Sequence, residues 1–295
     1  MSQVLDGKLF ASEVKNYIKE RVLRLNELGI TPGLGTILVG DDIGSQKYVA
    51  GKHRDCAEVG IRSVEVTLDG QSTEQEILDE ITRLNNDPAC SSYIVQLPLP
   101  KGVNEQKILE AINPKKDADG LHPFNLGSLV LNSSASLNTP VPCTPYGIIK
   151  FVEHFLGQGF WKGKEVVVIG RGITVGRSIG ALLTRKDCNA TVTLTHTGTK
   201  NLPEVVHRAD VVIAAVGSAY LVKPDWIKDG AVLIDVGVSR TVTQEGKSKI
   251  QGDIDPDCYS KASWYTPNPG GVGPVTRAML LENVVSTAER LSGKK

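Results

Sequence analysis

Apolar residues recur at steps of three and four near the start of the chain, at Phe10, Val14, Ile18, Val22, Leu25 and Leu28, with Lys, Glu and Arg between them. That period places them on one face of a helix, which Gly29 ends. The pattern then changes. Residues 34–39 form a short apolar run closed by Gly40, Asp41 and Asp42, and read as a buried strand. A helix is predicted over 45–59, a strand over 61–68, a helix over 73–85 and a strand over 93–97. The last strand runs into Pro98 and Pro100, which forbid helix and fit an extended exit. Strands alternating with helices predict a parallel sheet with right-handed crossovers.

A Pro-, Ser- and Asn-rich stretch at 131–145 reads as a junction. Thr144 as N-cap and Pro145 at the first helical position then open a helix carrying Ile148, Ile149, Val152 and Phe155. The alternation resumes, with strands expected at 165–169, 191–195, 211–216 and 231–236 and a helix at 176–186. After a loop at 267–274, a last amphipathic helix presents Ala278, Leu281, Val284, Val285, Ala288 and Leu291, and is expected to pack back on the first half. The fold class is therefore α/β, with two parallel-sheet domains, the second Rossmann-like, and an interdomain cleft. The expected domains are 1–143, completed by the helix 276–295, and 144–275.

A length of 295 residues suits two cores. Thirty-three basic and 33 acidic residues cancel, which argues against nucleic acid or an anionic membrane as partner. The five cysteines (Cys56, Cys90, Cys143, Cys188, Cys258) are widely spaced and never form a C-x-x-C pair, so reduced thiols and no metal site are expected. The N-terminus lacks an apolar signal core, and no apolar run approaches the ~20 residues that cross a bilayer. The expectation is a cytoplasmic protein.

Candidate chemistry begins at Gly170-Arg171-Gly172-Ile173-Thr174-Val175-Gly176, between the strand Val166-Val167-Val168-Ile169 and a helix. Glycines let backbone N–H groups approach a pyrophosphate at the positive end of a helix. The spacing is one residue longer than the usual dinucleotide fingerprint. Ordinary strand–helix turns produce such matches too; three further strands after this one make dinucleotide binding the better reading. An NAD site usually places an acid at the end of the next strand, about 20 residues on. Here that strand ends Thr195-His196-Thr197-Gly198-Thr199-Lys200, and no carboxylate occurs between Asn189 and Pro203. Arg171, Thr197 and Lys200 fit a 2′-phosphate instead, which points to NADP.

Tyr48 and Lys52 are four apart on a predicted helix and share a face. A partly desolvated lysine has a lowered pKa and serves as acid or base near neutrality; a surface lysine beside a half-buried tyrosine is the plainer alternative. Short-chain dehydrogenases carry the same Y-x-x-x-K spacing after their glycine-rich turn, whereas here it lies well before, so that reading fails on order. Gln96 is a polar amide in the apolar run Ile94-Val95-Gln96-Leu97-Pro98, and Asp117-Ala118-Asp119-Gly120 is a turn-like acidic pair. Both fall beyond strand ends, where α/β enzymes build their sites.

Together S-x-x-Y-V-x-x-K, V-Q-L-P-L-P, K-D-x-D-G, P-C-T-P and P-G-G-V-G-P-x-T occur here in the order found in methylenetetrahydrofolate dehydrogenase/cyclohydrolases, which the chain resembles over essentially its whole length. The resemblance implies a homodimer that oxidises methylene-tetrahydrofolate with NADP and then hydrolyses the methenyl product to the formyl form. It implies Lys52 as the main catalytic group, positioned by Tyr48 and Gln96. Substrate contacts would come from Tyr48, Lys52, Val95, Gln96, Leu97, Asp119, Pro269, Gly270, Gly271, Pro274 and Thr276, and cofactor contacts from Gly170, Arg171, Gly172, Thr197 and Val238. One carboxylate such as Asp119 can accept the paired donors of a pterin. The sequence departs from the family's G-R-S-x-x-V-G-x-P at Gly172 and Ser178, losing a hydroxyl that could meet a phosphate. The alternatives are a two-domain NADP oxidoreductase of the shikimate dehydrogenase kind and a dinucleotide-sensing module without catalysis.

Overall fold

A computed structural model describes residues 2–134, 136–242 and 248–293; positions 1, 135, 243–247, 294 and 295 of the expected domains lie outside it. The chain opens with β1 (Gln3–Val4), α1 (Gly7–Glu27), β2 (Gly33–Val39), α2 (Ile43–Val59), β3 (Arg62–Leu68), α3 (Glu74–Asn86) and β4 (Ser92–Val95). Three helices follow, α4 (Glu105–Ala111), α5 (Pro123–Leu131) and α6 (Cys143–Leu156). Then come β5 (Glu165–Ile169), α7 (Ser178–Leu183), β6 (Thr191–Thr195), α8 (Leu202–His207), β7 (Val211–Ala214) and β8 (Val232–Asp235). A hairpin β9 (Ser239–Val242) and β10 (Ser248–Gln251), β11 (Trp264–Tyr265) and α9 (Val272–Ser292) complete it.

The chain divides into two compact units. One comprises Ser12–Ser128, Leu137–Cys143 and Arg277–Lys295 and is built on a parallel sheet of order β3-β2-β4. Central β2 is buried at all seven positions, whereas edge β3 alternates exposed and half-buried, as strands covered on two faces and on one should. Ile37, Ile77, Ile81, Leu84, Tyr93 and Ile108 lie in its core. Thr73 and Glu76 form a reciprocal capping box at the start of α3.

The other unit comprises Met1–Ala11, Leu129–Ser136 and Thr144–Thr276. Its sheet has six parallel strands in the order β1-β11-β8-β7-β5-β6. The first eleven residues, Leu129–Ser136 and Thr276 thus depart from the expected boundaries of 1–143 and 276–295. Gln3 and Val4 pair with Trp264 and Tyr265 at the sheet edge, and a two-residue strand carries no periodicity from which to read that partner.

Three local expectations are corrected. Thr144 does not act as the cap at the head of α6: the helix begins at Cys143, and the Thr144 hydroxyl is bonded to that of Thr276 at 2.9 Å. The final helix starts at Val272, so Pro274 and Thr276 sit in its first turns rather than in or after a loop. Proline is tolerated there because its missing N–H would have no intrahelical partner. The helix expected over 176–186 is a wide turn over Ile173–Arg177 followed by a short α7.

Candidate active site

In the three-stranded unit, α2 carries Lys52 by an unusual placement. The buried positions Ser45, Val49, Lys52, Cys56 and Val59 follow steps of four and three, so a lysine occupies the inward stripe of the helix. Asp42 caps the helix by accepting from Ser45 N at 2.7 Å, and Gly60 ends it in the left-handed conformation. Lys52 is 4% exposed. Its Nζ donates to Gln96 Oε1 at 3.1 Å, and Gln96 Nε2 donates to Leu97 O at 2.7 Å. The second bond fixes which end of the amide faces the lysine. Tyr48 offers its ring: Nζ lies 4.6 Å from the ring centroid, a cation–π contact.

Burial lowers the Lys52 pKa, against a raising influence from Asp119, Cys143 and Cys56. The two thiols are themselves pushed up by burial, Cys56 to about 12 and Cys143 well above its usual value. They stay protonated near neutrality, so the Asp119 carboxylate is the anion that opposes burial. Burial likewise raises the Tyr48 pKa and keeps its phenol neutral.

Asp119 reaches this end of the sheet because the chain before it runs alongside β4. Tyr93 N donates to Lys116 O at 2.8 Å, and Ala118 N to Tyr93 O at 3.1 Å, a parallel bridge one strand further out. The two aspartates of the acidic pair have separate jobs. Buried Asp117 accepts from Gly120 N (3.0 Å), His122 N (2.8 Å) and Asn125 Nδ2 (2.8 Å) and so builds the turn. Half-buried Asp119 makes no side-chain hydrogen bond or ion pair among the described residues, which leaves its carboxylate open to a ligand.

Sequence reasoning missed two groups here. Asn283 Nδ2, from α9, lies 2.9 Å from both Ala118 O and Val141 O and ties the Asp119 turn to the segment before Cys143. No sequence signal marks it, because its role lies in the distant carbonyls it satisfies. Arg277 packs against Gly51, where a β-carbon would meet its Nη1, and its Nε lies 3.0 Å from Asp55 Oδ2. That N–H is not aimed at the carboxylate, so the contact is an ion pair without a hydrogen bond.

In the six-stranded unit the glycine-rich turn follows β5. Arg177 N donates to Gly172 O at 3.1 Å, a five-residue step, and this wide turn absorbs the extra residue of the long fingerprint. Ser178, standing where the family pattern has proline, places its hydroxyl within 3.1–3.2 Å of the carbonyls of Ile173, Thr174 and Val175. Gly170 has φ +120° and abuts Ala215 O, Gly176 abuts Gly170 O, and a β-carbon on Gly172 would meet nothing within 4 Å. Two glycines close the turn and the third leaves open the approach a pyrophosphate needs, so these residues fit a dinucleotide. Arg171 and Thr197 are exposed, and neither they nor Lys200 make an ion pair or side-chain hydrogen bond among the described residues. Val238 is 55% exposed.

The segment Pro269 to Thr276 belongs to this unit up to its last residue. Gly271 cannot carry a side chain because Thr266 and Pro267 O lie against it, and Gly7 packs on its carbonyl. Its smallness therefore serves internal packing, whereas Gly273 faces open space. The Thr276 hydroxyl is engaged by Thr144 and sits 3.3 Å from Val272 O. Among the described residues no group of three or more His, Cys, Asp or Glu is placed to hold a metal, and no helix is long and apolar enough to cross a membrane.

Two family models match the chain: the tetrahydrofolate dehydrogenase/cyclohydrolase catalytic domain over residues 5–119 and the NAD(P)-binding domain of the same family over 142–292. Among solved structures, the bifunctional FolD methylenetetrahydrofolate dehydrogenase/cyclohydrolase of Campylobacter jejuni is 39% identical, with a TM-score of 0.91 over 99% of this chain and 100% of that one. The Trypanosoma brucei enzyme, solved with NADP and an inhibitor, is 36% identical, with a TM-score of 0.92 over 99% of this chain and 98% of that one. A methylenetetrahydrofolate dehydrogenase from the silkworm Bombyx mori is 35% identical, with a TM-score of 0.89 over the whole of both chains. The shikimate dehydrogenase alternative is left without support, and the chain belongs to the tetrahydrofolate dehydrogenase/cyclohydrolase family.

Proposed function

We propose that the chain oxidises methylene-tetrahydrofolate to the methenyl form with NADP and hydrolyses that product to formyl-tetrahydrofolate, acting as a cytoplasmic homodimer without nucleic-acid or membrane partners. The observation that carries this reading is a buried lysine held by Gln96 and Tyr48 in the same unit as an unengaged Asp119 carboxylate.

The pterin's amino group and ring N–H would both donate to Asp119. Tyr48, Lys52, Val95, Gln96 and Leu97 would form the adjoining wall, and Pro269, Gly270, Gly271, Pro274 and Thr276 are assigned to the same substrate. NADP, held by Gly170, Arg171, Gly172, Thr197 and Val238, supplies the hydride acceptor. That step needs alignment and no protein nucleophile.

Hydrolysis needs more from the protein. Attack of water on the methenyl cation releases one proton; when the resulting hydroxyl collapses to the formyl carbonyl it gives up a second, the departing nitrogen takes one up, and one proton leaves overall. Lys52 is the group to take and return a proton, since its lowered pKa leaves more free amine near neutrality than an exposed lysine has. Gln96 holds Nζ in place through either protonation state, because ammonium and amine both retain a hydrogen to donate.

A spectrophotometric assay with methylene-tetrahydrofolate and each of NADP and NAD tests the reading. Reduced cofactor should form on addition of methylene-tetrahydrofolate, faster with NADP at low cofactor concentration. A folded protein that reduces neither cofactor rules the reading out.

A further inference from the structure

Beyond the glycine-rich turn, the six-stranded unit holds two buried carboxylates, Asp235 and Asp253, 2% and 0% exposed, that none of the chemistry above uses. Asp253 Oδ2 accepts from Val216 N at 2.7 Å and from Gly217 N at 3.2 Å, and Oδ1 accepts from Ser218 N at 2.7 Å. Three successive N–H groups pointing at one anion form the concave cradle in which backbone binds phosphate. Here the chain's own carboxylate fills it.

Asp235, at the end of β8, holds Asp253 from behind. Its Oδ1 accepts from Asp253 N at 2.9 Å, and its Oδ2 from Ile254 N at 3.2 Å. The two carboxylates interlock with glycines: a β-carbon on Gly237 would overlap the Asp253 carboxylate, and one on Gly252 the Asp235 carboxylate. Ser239 Oγ donates to Gly217 O at 2.9 Å, so the loop after β7 is tethered on two sides.

That loop lies where an open α/β sheet binds its ligand. β5 lies between β6 and β7 in the sheet, and the crevice past its carboxyl end is the switch point of the strand order. Gly170 packs directly on Ala215 and Val216. Val216 is 42% exposed although it follows a strand buried at all four positions. Since the N–H groups of residues 216–218 are already satisfied, what this loop offers a dinucleotide is the Val216 side chain and a preset backbone surface.

Resting on the reading that NADP binds at the Gly170–Gly176 turn, we propose that Asp253 is a positioning residue for the cofactor: it holds the Val216–Ser218 loop in its binding conformation, and Asp235 holds Asp253. A loop ordered before binding loses less conformational freedom when the ligand arrives, so the effect belongs in affinity rather than in the chemical step.

The test uses Asp253→Asn, whose amide turns a donor toward donors while keeping size. NADP affinity is measured by calorimetry, with dehydrogenase kcat and KM and hydrolysis of supplied methenyl-tetrahydrofolate alongside. The expected result is a rise of tenfold or more in the NADP Kd and KM, with kcat at saturating NADP and hydrolysis within about threefold of the parent. A purely structural carboxylate would lower thermal stability without that split. Ser239→Ala removes the second tether from a position where folding is not at risk and should raise the NADP Kd by at least threefold. A folded Asp253→Asn protein that binds NADP like the parent overturns the proposal. If that variant fails to fold, an unchanged Kd in Ser239→Ala does the same and a raised one supports it. A parent chain that does not bind NADP removes the underlying reading as well, so the two failures are distinguishable.

Discussion

A single buried charge costs stability that the proposed chemistry would put to use. Lys52 occupies an inward helix position that Val49 and Val59 fill with apolar groups, and burial lowers its pKa from 10.5. Below the lowered folded value the buried charge is a full cost, and the cost is relieved as pH rises from there toward 10.5. Lys52→Met keeps the length and apolar body, so at pH 7 the folded variant should be more stable than the parent by about 0.5–2 kcal/mol. Its hydrolytic rate should fall by at least ~10²-fold, with a smaller loss in hydride transfer. Thermal unfolding and the two assays read this directly; a folded variant hydrolysing methenyl-tetrahydrofolate at the parent rate removes Lys52 from the mechanism. The acidic pair gives a contrasting test. Asp119→Ala should weaken folate binding by about 2–3 kcal/mol and leave the melting temperature unchanged. Asp117→Ala strips three donors of their buried acceptor and should destabilise the fold by about 2–4 kcal/mol. Equal folate affinities for the parent and Asp119→Ala would return Asp119 to a turn role.

Elements differ in how well the sequence announces them. The long strand–helix alternation was readable because period 2 and period 3.6 are carried by many residues: β5 and β6 have the bounds that the apolar pattern predicts. Features set by one or two contacts were not readable. β1 is two residues held by a distant edge, and the wide turn at Ile173–Arg177 depends on the Arg177–Gly172 bond closing a five-residue loop. Gln96 and Asp119 stood out as polar groups in apolar or turn settings, and Lys52 by its spacing from Tyr48. Asn283 and the Asp235–Asp253 pair did not, because their meaning lies in which distant backbone groups they satisfy. The cofactor preference is also an element-scale property. With no carboxylate between Asn189 and Pro203, and with Arg171 and Thr197 exposed and unengaged, Arg171→Ala should raise the KM for NADP at least tenfold more than that for NAD. Equal losses with both cofactors would show that Arg171 does not read the 2′-phosphate.

For the molecule as a whole, buried ionisable groups shape stability against pH. Burial raises the Asp235 pKa from 3.8 to about 6, with partial relief from the N–H groups of Asp253 and Ile254 and from Asn268, while the nearby Asp253 carboxylate raises it further. The phenol of Tyr259, itself pushed up in part by Asp235, stays neutral and adds no charge. A folded pKa above the unfolded one means that the native chain takes up the proton first as pH falls. Its stabilising contribution is full below 3.8 and is lost as pH rises through about 6. Between pH 7 and pH 5 this one group should add about 1 kcal/mol to folding free energy. Asp117, also raised by burial, acts in the same sense, so the parent curve alone does not isolate Asp235. The difference between two curves does. Asp235→Asn keeps one acceptor for the Asp253 N–H but cannot titrate, and its absolute stability will shift by an amount set by the lost bond to Ile254. Denaturant unfolding at pH 5 and pH 7 for both proteins should show the variant gaining about 1 kcal/mol less than the parent on acidification. Parallel curves would mean that Asp235 is already ionised in the native state at pH 5, which would leave its three hydrogen-bond donors, rather than burial, in control of its charge.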